Sequence, residues 1–168
     1  AEDTRLGRRV AAKVFALTMD ANGARPPFSP EEWRRRFIQE ARMLASFDHP
    51  HIVPVVALDA LQDGRPAIFM QAMSGSLRRE IGTDVFDPDK QADLPEGVRP
   101  RSATPARTRQ VLLEVLSALM AVHGKGIVHR DVKPRNLLLA NGPGSRVKLV
   151  DFGMAKAPAE TPAAEPFW

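Results

Sequence analysis

An α+β fold is predicted by three features of the sequence: short apolar strand-like runs near the start and near the end, a capped amphipathic helix after the first of them, and a longer, more apolar helix ahead of the last. The first run, Arg9 to Phe15, alternates Val10, Ala12 and Val14 against Ala11, Lys13 and Phe15, which predicts a strand with Lys13 on its second face. A Gly- and Pro-containing loop, Ala21 to Phe28, leads to a helix start. There Ser29 can accept from the backbone near Glu32, Glu32 can reach back, and Pro30 takes the first helical position. The helix is expected to run to about Ser46, with Trp33, Phe37, Ala41, Leu44 and Ala45 at spacings of three and four. Glu40 falls beside that apolar stripe, so its carboxylate wants a partner. Ile52 to Leu58 and Pro66 to Met70 read as neighbouring strands joined by a turn at Asp63 and Gly64. Asp84 to Pro105, without periodicity and rich in Asp, Pro, Gly and Arg, reads as a solvent-exposed insertion. A second helix is expected from about Thr108 to His123, apolar on more than one face and therefore buried on several sides. Asn136 to Ala140 and Arg146 to Val150 complete the pattern as two short strands around a turn at Asn141 to Ser145.

Composition narrows the functional classes. The 168 residues carry 24 Lys+Arg against 20 Asp+Glu, with 43% hydrophobic and 26% charged content, the balance of a globular chain. Absence of cysteine removes disulfides, thiolate metal sites and cysteine nucleophiles, and gives no support for an oxidising compartment. The richest apolar stretch, Val111 to Val122, is interrupted by Glu114 and Ser117 and is shorter than the roughly 20 residues a bilayer span needs. No nucleic-acid partner is expected, because the arginine clusters are not interleaved with aromatics; the chain has eight Phe, two Trp and no Tyr.

The chemistry concentrates in two places. His129-Arg130-Asp131-Val132-Lys133-Pro134-Arg135-Asn136 stands between the second helix and the strands that follow, and Asp151-Phe152-Gly153 comes fifteen residues after Asn136. Together they place two carboxylates, a lysine and an amide on one loop and one hairpin. In these motifs the chain resembles the protein kinases, and the H-R-D-x-K-P-x-N form resembles their serine/threonine branch. Val10-Ala11-Ala12-Lys13 is similar to the family's V-A-I-K strand, His49-Pro50-His51-Ile52-Val53 to its H-P-x-I-V segment, and Ile68 to Met73 to the strand that runs into the hinge.

The resemblance implies a two-lobed protein-kinase-like α+β fold, incomplete at both ends. Residues 1–73 would form part of the small β-sheet lobe with one helix, up to the hinge, and residues 74–168 part of the helical large lobe, ending inside the activation segment. It implies ATP and Mg²⁺ as cofactors, a protein with a Ser or Thr acceptor as substrate, and a cytoplasmic setting. Asp131 is implied as catalytic base and Lys133 as the charge beside it; Lys13 paired with Glu40 would hold the phosphates, and Asn136 and Asp151 the metal. Met70 would be the gatekeeper, the backbones of Gln71 and Met73 would meet the adenine edge, and Ala11 and Leu138 would sandwich its ring. Leu44, His129 and Phe152 would stack as a spine between the lobes, and Arg130 suggests control by phosphorylation, with Thr161 the sole hydroxyl after Gly153.

Two departures stand beside these matches. No G-x-G-x-x-G precedes Lys13, and Ala157 to Glu160 is too near Gly153 to close an activation segment. The sequence is therefore expected to hold the middle of the domain, weak or inactive in isolation, with an uncovered apolar surface on the second helix that promotes aggregation. The alternative reading is a non-catalytic scaffold that binds nucleotide or a partner without turnover. His49 and His51 as a metal fragment lack further ligands at suitable spacing.

Overall fold

The computed structural model describes residues 1–4, 6–16, 29–83, 94–153 and 155. The elements in chain order are β1 (Glu2–Asp3), β2 (Arg8–Val14), α1 (Pro30–Ala45), β3 (Val55–Ala60), β4 (Pro66–Gln71), β5 (Gly75–Ser76), α2 (Arg78–Ile81), α3 (Pro105–Gly124), β6 (Leu137–Leu139) and β7 (Val147–Leu149), with 3₁₀ turns at Glu96–Val98 and Pro134–Asn136. A four-stranded antiparallel sheet has the order β1-β2-β4-β3, and a three-stranded sheet the order β5-β6-β7. In the first, Lys13 stands opposite Ile68 and Val10 opposite Gln71, so β2 lies flush against the strand that leads to the hinge.

Ser29 caps α1 by accepting from the Glu32 N–H at 3.2 Å, with Pro30 in the first turn. Half of the expected capping box forms: the Glu32 carboxylate turns to Arg36, 3.4 Å away on the next turn. Phe37, Ala41 and Leu44 are buried along one stripe, and Glu40 is buried with them. Leu44, Ile52 and Ile68 are each about 1% exposed or less and join Phe37, Phe47, Val122 and Phe152 in one core. Each such side chain contributes on the order of 2 kcal/mol by leaving water.

Element boundaries shift in places. The strand expected from Ile52 begins at Val55, since Ile52 instead forms a parallel bridge to Leu149; Val53 N–H donates to Leu149 O at 3.0 Å and Leu149 N–H to His51 O at 2.8 Å. That bridge fastens the segment after α1 to β7. The part of the expected insertion that lies within the described residues, 94–104, is exposed along nearly all its length, as expected, and hydrogen bonds hold it to the surface: Arg101 donates to Glu80 O at 3.1 Å and Arg79 O at 2.9 Å, and Thr83 N–H to Val98 O at 2.8 Å. Residues 84–93 lie outside the described set. Finally, α3 starts at Pro105, three residues early, because Thr104 caps it by accepting from Arg107 N–H at 3.2 Å. Arg107 then makes two 2.8 Å bonds to the Glu80 carboxylate and one to Ser145 O, tying α2, α3 and the β6–β7 turn together.

Helix α3 is buried on one side only, through Val115, Ala118 and Val122. Leu112, Leu113, Leu116 and Met120 are 54–75% exposed. The expectation of burial on several sides is corrected, and the uncovered apolar stripe is present.

Candidate active site

The segment His129 to Asn136 is held by its own side chains. Asp131 N–H donates to His129 Nδ1 at 3.2 Å, so the ring proton sits on Nε2, 3.1 Å from Val150 O. Burial holds His129 below the usual imidazole range, with the Val150 carbonyl opposing it. Asn136 Nδ2 donates to Asp131 O at 2.8 Å and to Asp131 Oδ2 at 2.9 Å, and Lys133 Nζ donates to Asp131 Oδ1 at 2.7 Å. The hydrogen bond from Lys133, then that from Asn136, keeps the Asp131 carboxyl below its ordinary range. Arg130 has φ 67°, a left-handed conformation that costs about 1–2 kcal/mol in a non-glycine residue and sharpens the bend into Asp131.

Lys13 reaches across from β2. Its Nζ lies 2.6 and 2.8 Å from the two Glu40 oxygens and 3.1 Å from Asp151 Oδ1. Burial alone would lower the lysine, but Glu40 and then Asp151 raise it above its usual value. Burial pushes the Glu40 carboxyl upward and the Lys13 hydrogen bonds offset this only in part. Three oxygens around one ammonium favour a charged lysine, so the group is an ionic triad, not a neutral pair. Asp151 also has φ 67°, placing its side chain back toward Lys13. A Cβ on Gly153 would come 3.3 Å from Asp151 Oδ1 and 3.4 Å from Glu40 Oε2, so the third residue of the motif leaves room for the triad.

Between the sheets lies an apolar pocket of about 250 Å³ lined by Ala11, Val53, Met70, Gln71, Met73, Gly75, Ser76, Leu138 and Val150. Every residue expected around an adenine ring is in that lining. Gln71 N–H is taken by Pro54 O at 3.1 Å, which leaves the Gln71 carbonyl as the group free to face a ligand edge. Val53, Gly75, Ser76 and Val150 complete the lining beyond the residues the sequence predicts; Val53 and Val150 fall within or beside its motifs, while Gly75 and Ser76 carry no signal in the sequence. The contact of Lys13 with Asp151 was also not foreseen. His129 packs edge-on to Phe152 with ring centroids 4.7 Å apart, and Leu44 belongs to the same core. Met154 and Thr161 lie outside the described residues.

The donor set fits a magnesium ion. Asn136 spends its amide nitrogen on Asp131, so its oxygen remains; Asp151 offers its second carboxylate oxygen and has a side chain 42% exposed. Two hard oxygen ligands suit a cation that completes its shell with water and phosphate oxygens.

A family model described as protein kinase domain matches residues 3–166. The chain belongs to the protein kinase family. Its relatives include a probable serine/threonine-protein kinase, SCO3848, of Streptomyces coelicolor, 38% identical over 162 residues and covering 94% of this chain and 20% of the relative. The probable serine/threonine-protein kinase PknB of Corynebacterium glutamicum is 34% identical, covering 98% of the chain and 22% of that protein. PknJ of Mycobacterium tuberculosis is 36% identical, covering 93% and 23%. The chain thus spans about a fifth of the length of these kinases. The yeast RNA Pol II CTD kinase CTDK-1 complex contains a chain of the same fold, with TM-score 0.62 at 21% identity over 95% of this chain and 43% of that one. No helix among the described residues is long and apolar enough to cross a membrane.

Proposed function

We propose that this chain carries the nucleotide-binding and phosphoryl-transfer centre of a serine/threonine protein kinase, with residues 1–73 acting as small lobe and hinge and 74–168 as part of the large lobe. The observation that carries the reading is the Lys13–Glu40–Asp151 triad, with Nζ–O distances of 2.6 and 3.1 Å, beside an apolar pocket sized for a purine. Kinship to proteins named serine/threonine kinases supports it. ATP occupies the pocket between Ala11 and Leu138, past Met70, with its edge on the Gln71 and Met73 backbones. Lys13, oriented by Glu40, neutralises the phosphates. Asn136 and Asp151 hold Mg²⁺, which when bound screens the charge that builds on the transferred group. Asp131 orients the Ser or Thr hydroxyl of a protein substrate and takes its proton, and Lys133 balances charge at the same point. The work takes place where ATP is held, in the cytoplasm.

The test is transfer of label from [γ-³²P]ATP to a protein by the product of the intact reading frame. Asp131→Asn should lower kcat on the order of 10²–10⁴-fold with nucleotide affinity retained. Undiminished transfer in that variant would overturn the role of Asp131. Nucleotide binding with no transfer by the wild-type protein would favour a scaffold.

A further inference from the structure

The side of β7 that faces the apolar pocket carries more than pocket residues. Along the strand and its flanks, alternation puts Arg146, Lys148 and Val150 on one side, opposite the buried Val147 and Leu149. Leu138 stands across from Lys148 in the antiparallel register and shares that side; Leu138 and Val150 both line the pocket. On the other edge of β7, the bridge between Ile52 and Leu149 turns His51 and Val53 to the same side, and Val53 lines the pocket too. One surface therefore continues from the pocket to Lys148, Arg146 and His51, with the His49 ring centroid 5.8 Å from that of His51.

Hydrogen bonds fix the two rings. His49 Nδ1 accepts from His51 N–H at 3.2 Å and its Nε2 lies 3.2 Å from Ser117 Oγ. His51 Nδ1 lies 3.1 Å from Val147 O, so it carries the proton, and its Nε2 has no partner among the described residues. Lys148 and Arg146 likewise have no side-chain partner among the described residues. The neighbouring acid, Glu114, is committed: it accepts from Val147 N–H at 2.7 Å and from Gln110 Nε2 at 3.0 Å. The cations act on one another. Burial and then Arg146 push Lys148 below the usual lysine range, and burial, His51 and Lys148 push His49 down. The half-buried Lys148 beside the exposed Arg146, with no acid paired to either among the described residues, is an arrangement that an anion relieves.

We propose that the surface formed by Arg146, Lys148 and His51, next to the nucleotide pocket, docks a carboxylate-rich peptide segment of a partner protein. Charge complementarity selects the partner: Lys148 and Arg146 pair with its carboxylates, and the His51 ring lies beside them.

The inference goes beyond the catalytic reading, and its test needs no turnover. Side-chain ¹H–¹⁵N spectra of the histidines in the intact protein, at about pH 6.5 where imidazoles titrate, would be followed during addition of hexaglutamate peptide. The His51 ring signals should shift saturably, while those of His123 at the exposed end of α3 stay put. The K148A/R146A double variant should bind on the order of tenfold more weakly. If that variant does not fold, Arg146→Ala alone, at an exposed position, serves for the comparison. Parallel shifts of all exposed histidines, unchanged affinity in the variant, or equal binding of a polythymidylate of the same charge would each overturn the proposal.

Discussion

The loop at His129 to Asn136 and the triad at Lys13 do the same kind of work, fixing charged groups in place, but they are built differently. Within the loop, Asp131, Lys133 and Asn136 bond one another across separations of two and five residues. The triad joins groups 27 and 138 residues apart, from β2, from α1 and from the second residue after β7. A locally closed cluster is ordered once its own turn forms, whereas the triad exists only while the sheet, α1 and β7 hold their relative places. The loop can therefore be set permanently, and the triad is the part that a movement of α1 would open.

The largest effect should come from breaking the loop itself. Asn136→Ala removes both amide bonds to Asp131 and a proposed metal ligand, and kcat should fall on the order of 10²–10³-fold, as measured by initial rates at saturating ATP. Backbone exchange at Lys13 and Glu40 should be unchanged, because both amide bonds of Asn136 go to Asp131. If exchange rises equally in both regions, the two are one unit and the contrast fails.

Breaking the triad comes next. Glu40→Gln leaves a half-exposed lysine with Asp151 alone, and phosphoryl transfer should drop about 10–10²-fold; loss of stability should be about 1–2 kcal/mol, below the figure for a fully buried pair because Lys13 is 39% exposed. Amide protection at Asp131 should survive in this variant. Gly153→Ala, which crowds the same oxygens from 3.3 Å, should produce a milder version of the same phenotype in the same assays.

These two regions were also unequally legible in the sequence. The loop is legible as a motif: the spacing of His129, Asp131, Lys133 and Asn136 places them on one short segment and the family resemblance supplies their roles, while the hydrogen bonds among them come from the structure. For the triad, the residue types were legible on the strand and on the helix, but the Asp151 contact depends on a φ of 67° and on the Ile52–Leu149 bridge, which no periodicity signals. The same bridge explains why the strand read from Ile52 starts late. Likewise α3 begins three residues before the sequence predicts, because Thr104-Pro105, which ends a polar segment, is its cap and first turn. The docking of residues 94–104 by Arg101 is a tertiary effect with no local pattern.

Acid should distinguish the regions by stability. His129 is 1% exposed and held neutral by burial, so its folded pKa lies below its unfolded one. The unfolded chain then binds the extra proton, and stability is complete above the ordinary imidazole pKa of about 6.5 and falls as pH drops through and below it. Urea midpoints should decline between about pH 7 and pH 5, and His129→Gln should flatten that slope. A slope unchanged by the substitution would assign the effect to His49, whose pKa burial also lowers.

The smallest effect gives the finest separation. Ser29 and Thr104 cap α1 and α3 through the same bond, each accepting at 3.2 Å from the N–H three residues on. Replacing either by Ala should cost about 1 kcal/mol of unfolding free energy. The costs should match, yet the consequences should not. Helix α1 carries Glu40, so fraying its start loosens one arm of the triad, and Ser29→Ala should raise KM for ATP. Helix α3 carries no member of the triad or the loop, and Thr104→Ala should leave KM as it was. Equal KM changes from the two caps would mean that the triad is sensed by global stability alone and is not tied specifically to the position of α1.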